Sequence, residues 1–182
     1  MRCCCYRRSS APPPVLGEPI SQEDINDTLL KAAVRGDLAT MEHLLLHSSD
    51  TDAKEDTFGA TAMMLASGKG RVDMMKLLLA NGSKINTRDD GGWTALMHAV
   101  LMEQLEAATF LVEAGIDLDA QNNDGCTALM LAAGRIGSFE IVKLLCEHGA
   151  NKELRMTKGR NAGLTAAEQC GDRHIVAYLN GD

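Results

Sequence analysis

Small and apolar residues recur along the chain in short blocks, separated by polar stretches that carry glycine, and the blocks repeat. Thr61-Ala-Met-Met-Leu-Ala66, Thr94-Ala-Leu-Met-His-Ala99 and Thr127-Ala-Leu-Met-Leu-Ala132 align without gaps at a period of 33 residues. A second apolar block follows each, at residues 74–79, 107–112 and 141–145, and a glycine closes each unit at Gly82, Gly115 and Gly149. Self-similarity at such a period marks stacked supersecondary units. Each unit reads as two short helices. The threonine accepts a backbone N–H and caps the first helix, which alanine and leucine then carry. A glycine (Gly36, Gly70, Gly171) supplies a left-handed turn. The second helix buries a Leu-Leu or Phe-Leu pair. Residues 84–91 and 117–125, rich in Asn, Asp and Gly, then form protruding turns, with Ile85 and Leu118 as their lone buried apolar residues.

Two degenerate units flank these three. In the first, Asp27 takes the threonine slot; in the last, Ala162 takes it and Thr165 is set aside, which gives slot spacings of 34, 33, 33 and 35. The pattern predicts an all-α repeat solenoid of five helix-turn-helix units with protruding β-turn fingers, at residues 25–59, 60–92, 93–125, 126–160 and 161–182. Irregular ends suit a solenoid whose terminal units show one face to water. The middle unit carries Glu103 where its neighbours carry the turn glycine, so a residue with a Cβ is expected at positive φ there. Gly137 falls one residue late in its own unit.

Composition narrows the picture. Of 182 residues only 3% are aromatic, so the core is built from Leu, Ile, Val, Met and Ala. Eighteen basic against 25 acidic residues give −7, which argues against nucleic acid as a partner. All four prolines and three arginines (Arg2, Arg7, Arg8) lie in the first 22 residues, which read as a flexible arm; residues 23–182 read as the folded part. No apolar run approaches the ~18 residues of a membrane span, and no signal peptide is visible. Scattered cysteines fit a reducing compartment. A soluble, cytoplasmic chain is expected, monomeric alone.

These residues resemble the ankyrin repeat, whose pattern runs T-P-L-H-x-A-A, a glycine, then L-E-I-V-K-L-L-L-E-x-G-A-D-V-N-A. The segment Phe139-Glu-Ile-Val-Lys-Leu-Leu-Cys-Glu-His-Gly-Ala-Asn151 follows it nearly throughout, and the resemblance covers residues 25–182. The chain departs where Ala62, Ala95 and Ala128 replace the proline and Met64, Met97 and Met130 replace the histidine. The resemblance implies an interaction module without chemistry of its own.

The residues agree with that implication. His43 and His47 have helical metal-ligand spacing but lack the Glu of H-E-x-x-H, so they read as surface histidines. Gly68-Lys69-Gly70 is a turn between helices and not a phosphate loop. His98 reads as a structural histidine, and Cys126, Cys146 and Cys170 as small packing side chains. No catalytic residue, metal site, cofactor or small-molecule substrate is expected.

What remains is a surface for a protein partner. By position in the resembling family, turn tips and first-helix ends line a concave face. They bring forward Phe58, Lys69, Arg88, Asp90, Trp93, Leu101, Met102, Asn123, Asp124 and Arg135 as partner-binding residues. The middle unit stands out, with the only Trp beside Leu101-Met102. Trp93 either folds onto its own repeat or forms an apolar hot spot ringed by charge, and the second reading is preferred. The arm offers an alternative. Cys3, Cys4 and Cys5 between arginines resemble a site of reversible S-acylation, and Ser10 follows a basic pair as a phosphorylation site would. That reading makes the chain an adaptor tethered to the membrane periphery; the competing one is an inert tail.

Overall fold

A computed structural model of the chain describes residues 21–46, 50–134 and 138–181. Cys3, Cys4, Cys5, Ser10, His47, Arg135 and Gly137 lie outside the described residues. Ten helices form among those that are described: α1 (Gln22–Arg35), α2 (Leu38–Leu45), α3 (Ala62–Gly68), α4 (Val72–Ala80), α5 (Ala95–Leu101), α6 (Leu105–Glu113), α7 (Ala128–Ala133), α8 (Phe139–Glu147), α9 (Ala166–Gln169) and α10 (Arg173–Asn180). The odd-numbered helices pack on one another in sequence and the even-numbered helices do the same, so two helical layers run the length of an all-helical solenoid. No strand forms among the described residues; one isolated bridge joins Lys54 to Thr61 at the base of a finger.

Helices of six to nine residues such as α3 to α8 are too short to persist alone in water. Two things hold them. Thr94 and Thr127 accept from the amides of Met97 and Met130 at 3.4 and 3.2 Å, caps worth about 1 kcal/mol each. Stacking then buries their apolar faces. Met64, Met97 and Met130 are each at most 2% exposed, and Leu78, Leu111 and Leu145 are fully buried, each contributing about 1.5–3 kcal/mol. Met64 also keeps a polar contact, its sulfur accepting from the Thr61 amide at 3.5 Å. Ile85 and Leu118 are half-buried against the core and not fully enclosed.

The fingers are held by each other. The amide of Asp90 donates to the Phe58 carbonyl at 3.0 Å, that of Asn123 to Gly91 at 2.9 Å and that of Thr157 to Asp124 at 2.9 Å. Beneath these bonds sit Gly59, Gly92 and Gly125 at φ 70, 76 and 78°. A Cβ on any of them would strike the next finger, at Asp90, Asn123 or Thr157. Side chains add a second ladder at the finger bases: Asp52 accepts from the Lys84 amide at 2.9 Å, Asn86 from Asp117 at 2.9 Å and Asp119 from Asn151 at 2.8 Å.

The turn at Glu103 is left-handed as expected, with φ 56°, the one positive φ among described residues that are not glycine. Three expectations for the ends are corrected. Asp27 caps nothing: α1 starts earlier, with Ser21 accepting from the Asp24 amide at 3.1 Å, and Asp27 instead pairs with Lys31 inside the helix. Thr165, not Ala162, caps the last first-layer helix, with Glu168 completing a capping box. Its finger holds four more residues than the two before it, closed where the Met156 amide donates to Leu164 and the Gly163 amide to Met156. Gly171 has no positive φ; Asp172 caps α10 directly by accepting from the His174 amide at 2.8 Å.

Candidate functional site

On the side where fingers overhang the first-layer helices, a groove of about 430 Å³ runs between the second and third units. It is lined by Phe58, Ala60, Leu65, Trp93 and Leu101, with Glu55, Asp89, Asp90 and His98 at its polar edge. The finger bonds create it. By fixing the backbone of residues 58 and 90 together, they hold the Phe58 side chain 68% exposed at one wall.

Trp93 forms the other wall and is half-buried, packed on the core at one edge and open to the groove at the other. Its amide donates to Asp89 Oδ1 at 2.7 Å. The Asp89 side chain is 7% exposed, and its second oxygen lies 3.2 Å from His98 Nε2. The His98 ring in turn sits 6.0 Å from the Trp93 ring, tilted at 57°. A buried carboxylate left unmatched is expensive; the Trp93 amide and His98 satisfy this one and so fix the indole's orientation. A groove wall pre-set in this way loses little conformational entropy on binding.

Four of the residues expected from sequence thus line one groove: Phe58, Asp90, Trp93 and Leu101. Met102, 49% exposed, lies beside it at the end of α5, near Gly68 and hence near the exposed Lys69 at the end of α3. Arg88, Asn123 and Asp124 do other work. Arg88 donates to the carbonyls of Gly92, at 3.1 Å, and Gln121. The Asn123 side chain donates to the Asp90 carbonyl at 2.9 Å, and the Asp124 carbonyl accepts two amides of the next finger. Arg88 and Asn123 clasp finger to finger with their side chains, which are thereby committed within the chain, and Asp124 does so with its main chain. Sequence reasoning missed Glu55, Leu65 and Asp89. A signal existed for Leu65, which shares its repeat slot with His98.

Burial, with Asp124 nearby, pushes the Cys126 thiol up to about 11, so at neutral pH it stays protonated and unreactive. Burial also raises the Cys146 thiol. Among the described residues no group of three or more His, Cys, Asp or Glu side chains is placed to hold a metal ion, and no helix is long and apolar enough to cross a membrane.

Comparison with known proteins places these units. The family model described as ankyrin repeats (three copies) matches residues 29–122 and 114–181. The 2-5A-dependent ribonuclease of Mus musculus is 32% identical over 83 residues, which cover 46% of this chain and 11% of that protein. The match therefore spans about a tenth of that relative's length.

Proposed function

We propose that this chain, which belongs to the ankyrin-repeat family, is a docking module that takes a protein partner into the groove between its first and second fingers. Ankyrin repeats generally mediate protein–protein interaction, and the family is generally non-catalytic. One observation carries the finer reading: an aromatic ring, Phe58, stands 68% exposed against a groove otherwise lined by Ala60, Leu65, Trp93 and Leu101. Covering a ring of that size yields about 1.5–3 kcal/mol, enough to make it an anchor. Lys69, Asp90 and Met102 form the rim in this reading.

The test is affinity capture from a lysate of the native source, with wild type set beside Phe58→Ser, Leu101→Ser and an outer-layer control, Lys76→Glu. At least one captured protein should be retained by wild type and the control and lost from both groove variants. Identical sets from all four baits refute the assignment.

A further inference from the structure

The groove does not end at Phe58. Two further hollows adjoin it toward the first unit, one of about 260 Å³ lined by Leu30, Val34, Arg35 and Leu65, the other of about 510 Å³ lined by Glu23, Asp24, Lys54 and Asp56. Glu55 borders all three spaces. Leu65 is shared by the first and second, Thr57 by the first and third, and Asp27 with Leu30 by the second and third. One continuous channel thus crosses the first three units. Its floor is apolar: Leu30, Val34, Leu65, Phe58, Trp93 and Leu101.

Its rim is not neutral. Glu23, Asp24, Asp27, Glu55, Asp56 and Asp90 stand along it against three bases. Two pairs offset each other within the chain, Lys31 with Asp27 and Lys54 with Asp90 at 3.7 Å, which leaves Glu23, Asp24, Glu55 and Asp56 as the rim's excess charge. Arg35 lies at one end. An acidic rim above an apolar floor repels phosphate-bearing surfaces, nucleic acid and anionic lipid alike, and attracts cationic side chains.

We infer that the channel binds a linear peptide segment of a partner protein, one that carries two or more Arg or Lys residues around an aromatic or long aliphatic anchor. The anchor enters between Phe58 and Trp93, and the basic residues run toward Glu55, Asp56 and Glu23. This rests on the docking reading above and adds the chemistry of the occupant. A short peptide segment suits the site because all three spaces meet at Glu55, so one segment lying across that residue touches each of them. Exposed carboxylates are screened beyond about 8–10 Å at moderate salt, so the charge contribution to binding is salt-sensitive while the anchor contribution is not.

The experiment is selection of a random dodecapeptide phage library on the immobilised full-length chain. Enriched peptides are then synthesised and titrated by fluorescence anisotropy at low and high sodium chloride. The expected winners are net basic with one apolar anchor, and their affinity falls severalfold as salt rises. Glu55→Lys combined with Asp56→Lys should weaken them about tenfold or more, and Glu23→Lys alone about threefold, with Lys76→Glu without effect. Circular dichroism confirms that each variant is folded, and Glu23→Lys, on the exposed first turn of α1, remains informative if the double variant is not. Neutral or acidic winners that still need Phe58 overturn the basic-peptide inference and leave the docking reading standing. Failure of any peptide to enrich, where capture of a Phe58-dependent protein succeeds, also overturns it. Winners indifferent to Phe58→Ser and Leu101→Ser sink both readings. A synthetic peptide of residues 1–20 that outcompetes every winner would assign the channel to the chain's own arm, and sedimentation as a dimer abolished by Glu55→Lys would assign it to a second copy; either result overturns the inference.

Discussion

Replacing Gly125 with alanine should cost far more than the same replacement at Gly149, although both glycines hold left-handed backbone, at φ 78 and 89°. At Gly149 a Cβ meets nothing within 4 Å. Only the conformational penalty remains, about 1–2 kcal/mol, less the 0.4–1 kcal/mol or so by which alanine restricts the unfolded chain. A net loss of about 0.5–1 kcal/mol is expected there. At Gly125 the same Cβ would lie 2.5 Å from the backbone nitrogen of Thr157, which no side-chain rotation can relieve. The last finger must lift away, and with it go the bonds from the Thr157 and Lys158 amides to the Asp124 carbonyl, at 2.9 and 3.0 Å. At about 1 kcal/mol each, their loss brings the total to about 3 kcal/mol. In a chain of this size that lowers the melting temperature by roughly 6–12 °C, against about 1–4 °C for Gly149→Ala. Urea melts followed by circular dichroism and by Trp93 fluorescence give both values. Equal losses in the two variants would show that the finger-to-finger bonds contribute nothing to stability.

Glu103→Gly removes the left-handed penalty of about 1–2 kcal/mol and returns 0.4–1 kcal/mol to the unfolded chain, so a gain of about 0.5–1 kcal/mol is expected; a denaturant melt showing no gain would refute strain at that turn. Trp93→Ala, which empties a half-buried wall, should lose about 2 kcal/mol, below the 3–5 kcal/mol of a fully buried aromatic, and a loss under about 0.5 kcal/mol would mean that the ring packs on nothing. Cys126 has a thiol pKa raised from 9.0 to about 11 in the folded chain, so the unfolded state releases its proton first: stability is intact below pH 9 and declines as pH climbs toward 11. Urea midpoints at pH 8 and 10 should therefore converge in Cys126→Ala relative to wild type, and an unchanged gap would contradict that shift.

What the sequence made legible was local. Thr61, Thr94 and Thr127 announce helix starts because capping is decided within one turn of chain, and Glu103 announces a strained turn because its slot-mates are glycines. The ends were misread where the period itself gave way. Thr165 follows Thr127 by 38 residues because the finger before it is four residues longer and the stretch from Thr127 to α8 one residue longer, and an alignment that trusts spacing passes over it. Asp27 falls inside α1 because that helix, at 14 residues, is twice the length of α3 and α5, and Ser21 caps it a turn and a half upstream. In the site, Trp93 stood out as the chain's only Trp, and Phe58 by its position beside the turn glycine. Arg88 and Asn123 look like solvent-facing polar residues in sequence; only three dimensions reveal that their partners are carbonyls about one repeat away. The buried contact of Asp89 with His98 crosses from finger to helix and leaves no trace in periodicity.

The bonds that tie finger to finger run from main-chain amide to main-chain carbonyl, at Asp90–Phe58, Asn123–Gly91 and Thr157–Asp124. Such a bond is indifferent to the side chains on either residue and asks only for the correct register and a glycine beneath. A gene segment encoding one whole unit can therefore be duplicated or lost in frame, and the main-chain bonds reform across the seam. Only the side chains that add their own ties between fingers, Asp52, Asn86, Arg88, Asp119 and Asn123, must be kept in each copy. The exception is a finger of altered length, which shifts the register offered to the next finger; among the described fingers the one that holds Thr157 and Lys158 is the longest. The same rule lets a lineage lengthen or shorten the channel one unit at a time while its walls, Phe58 and Trp93 among them, change independently of the scaffold that holds them.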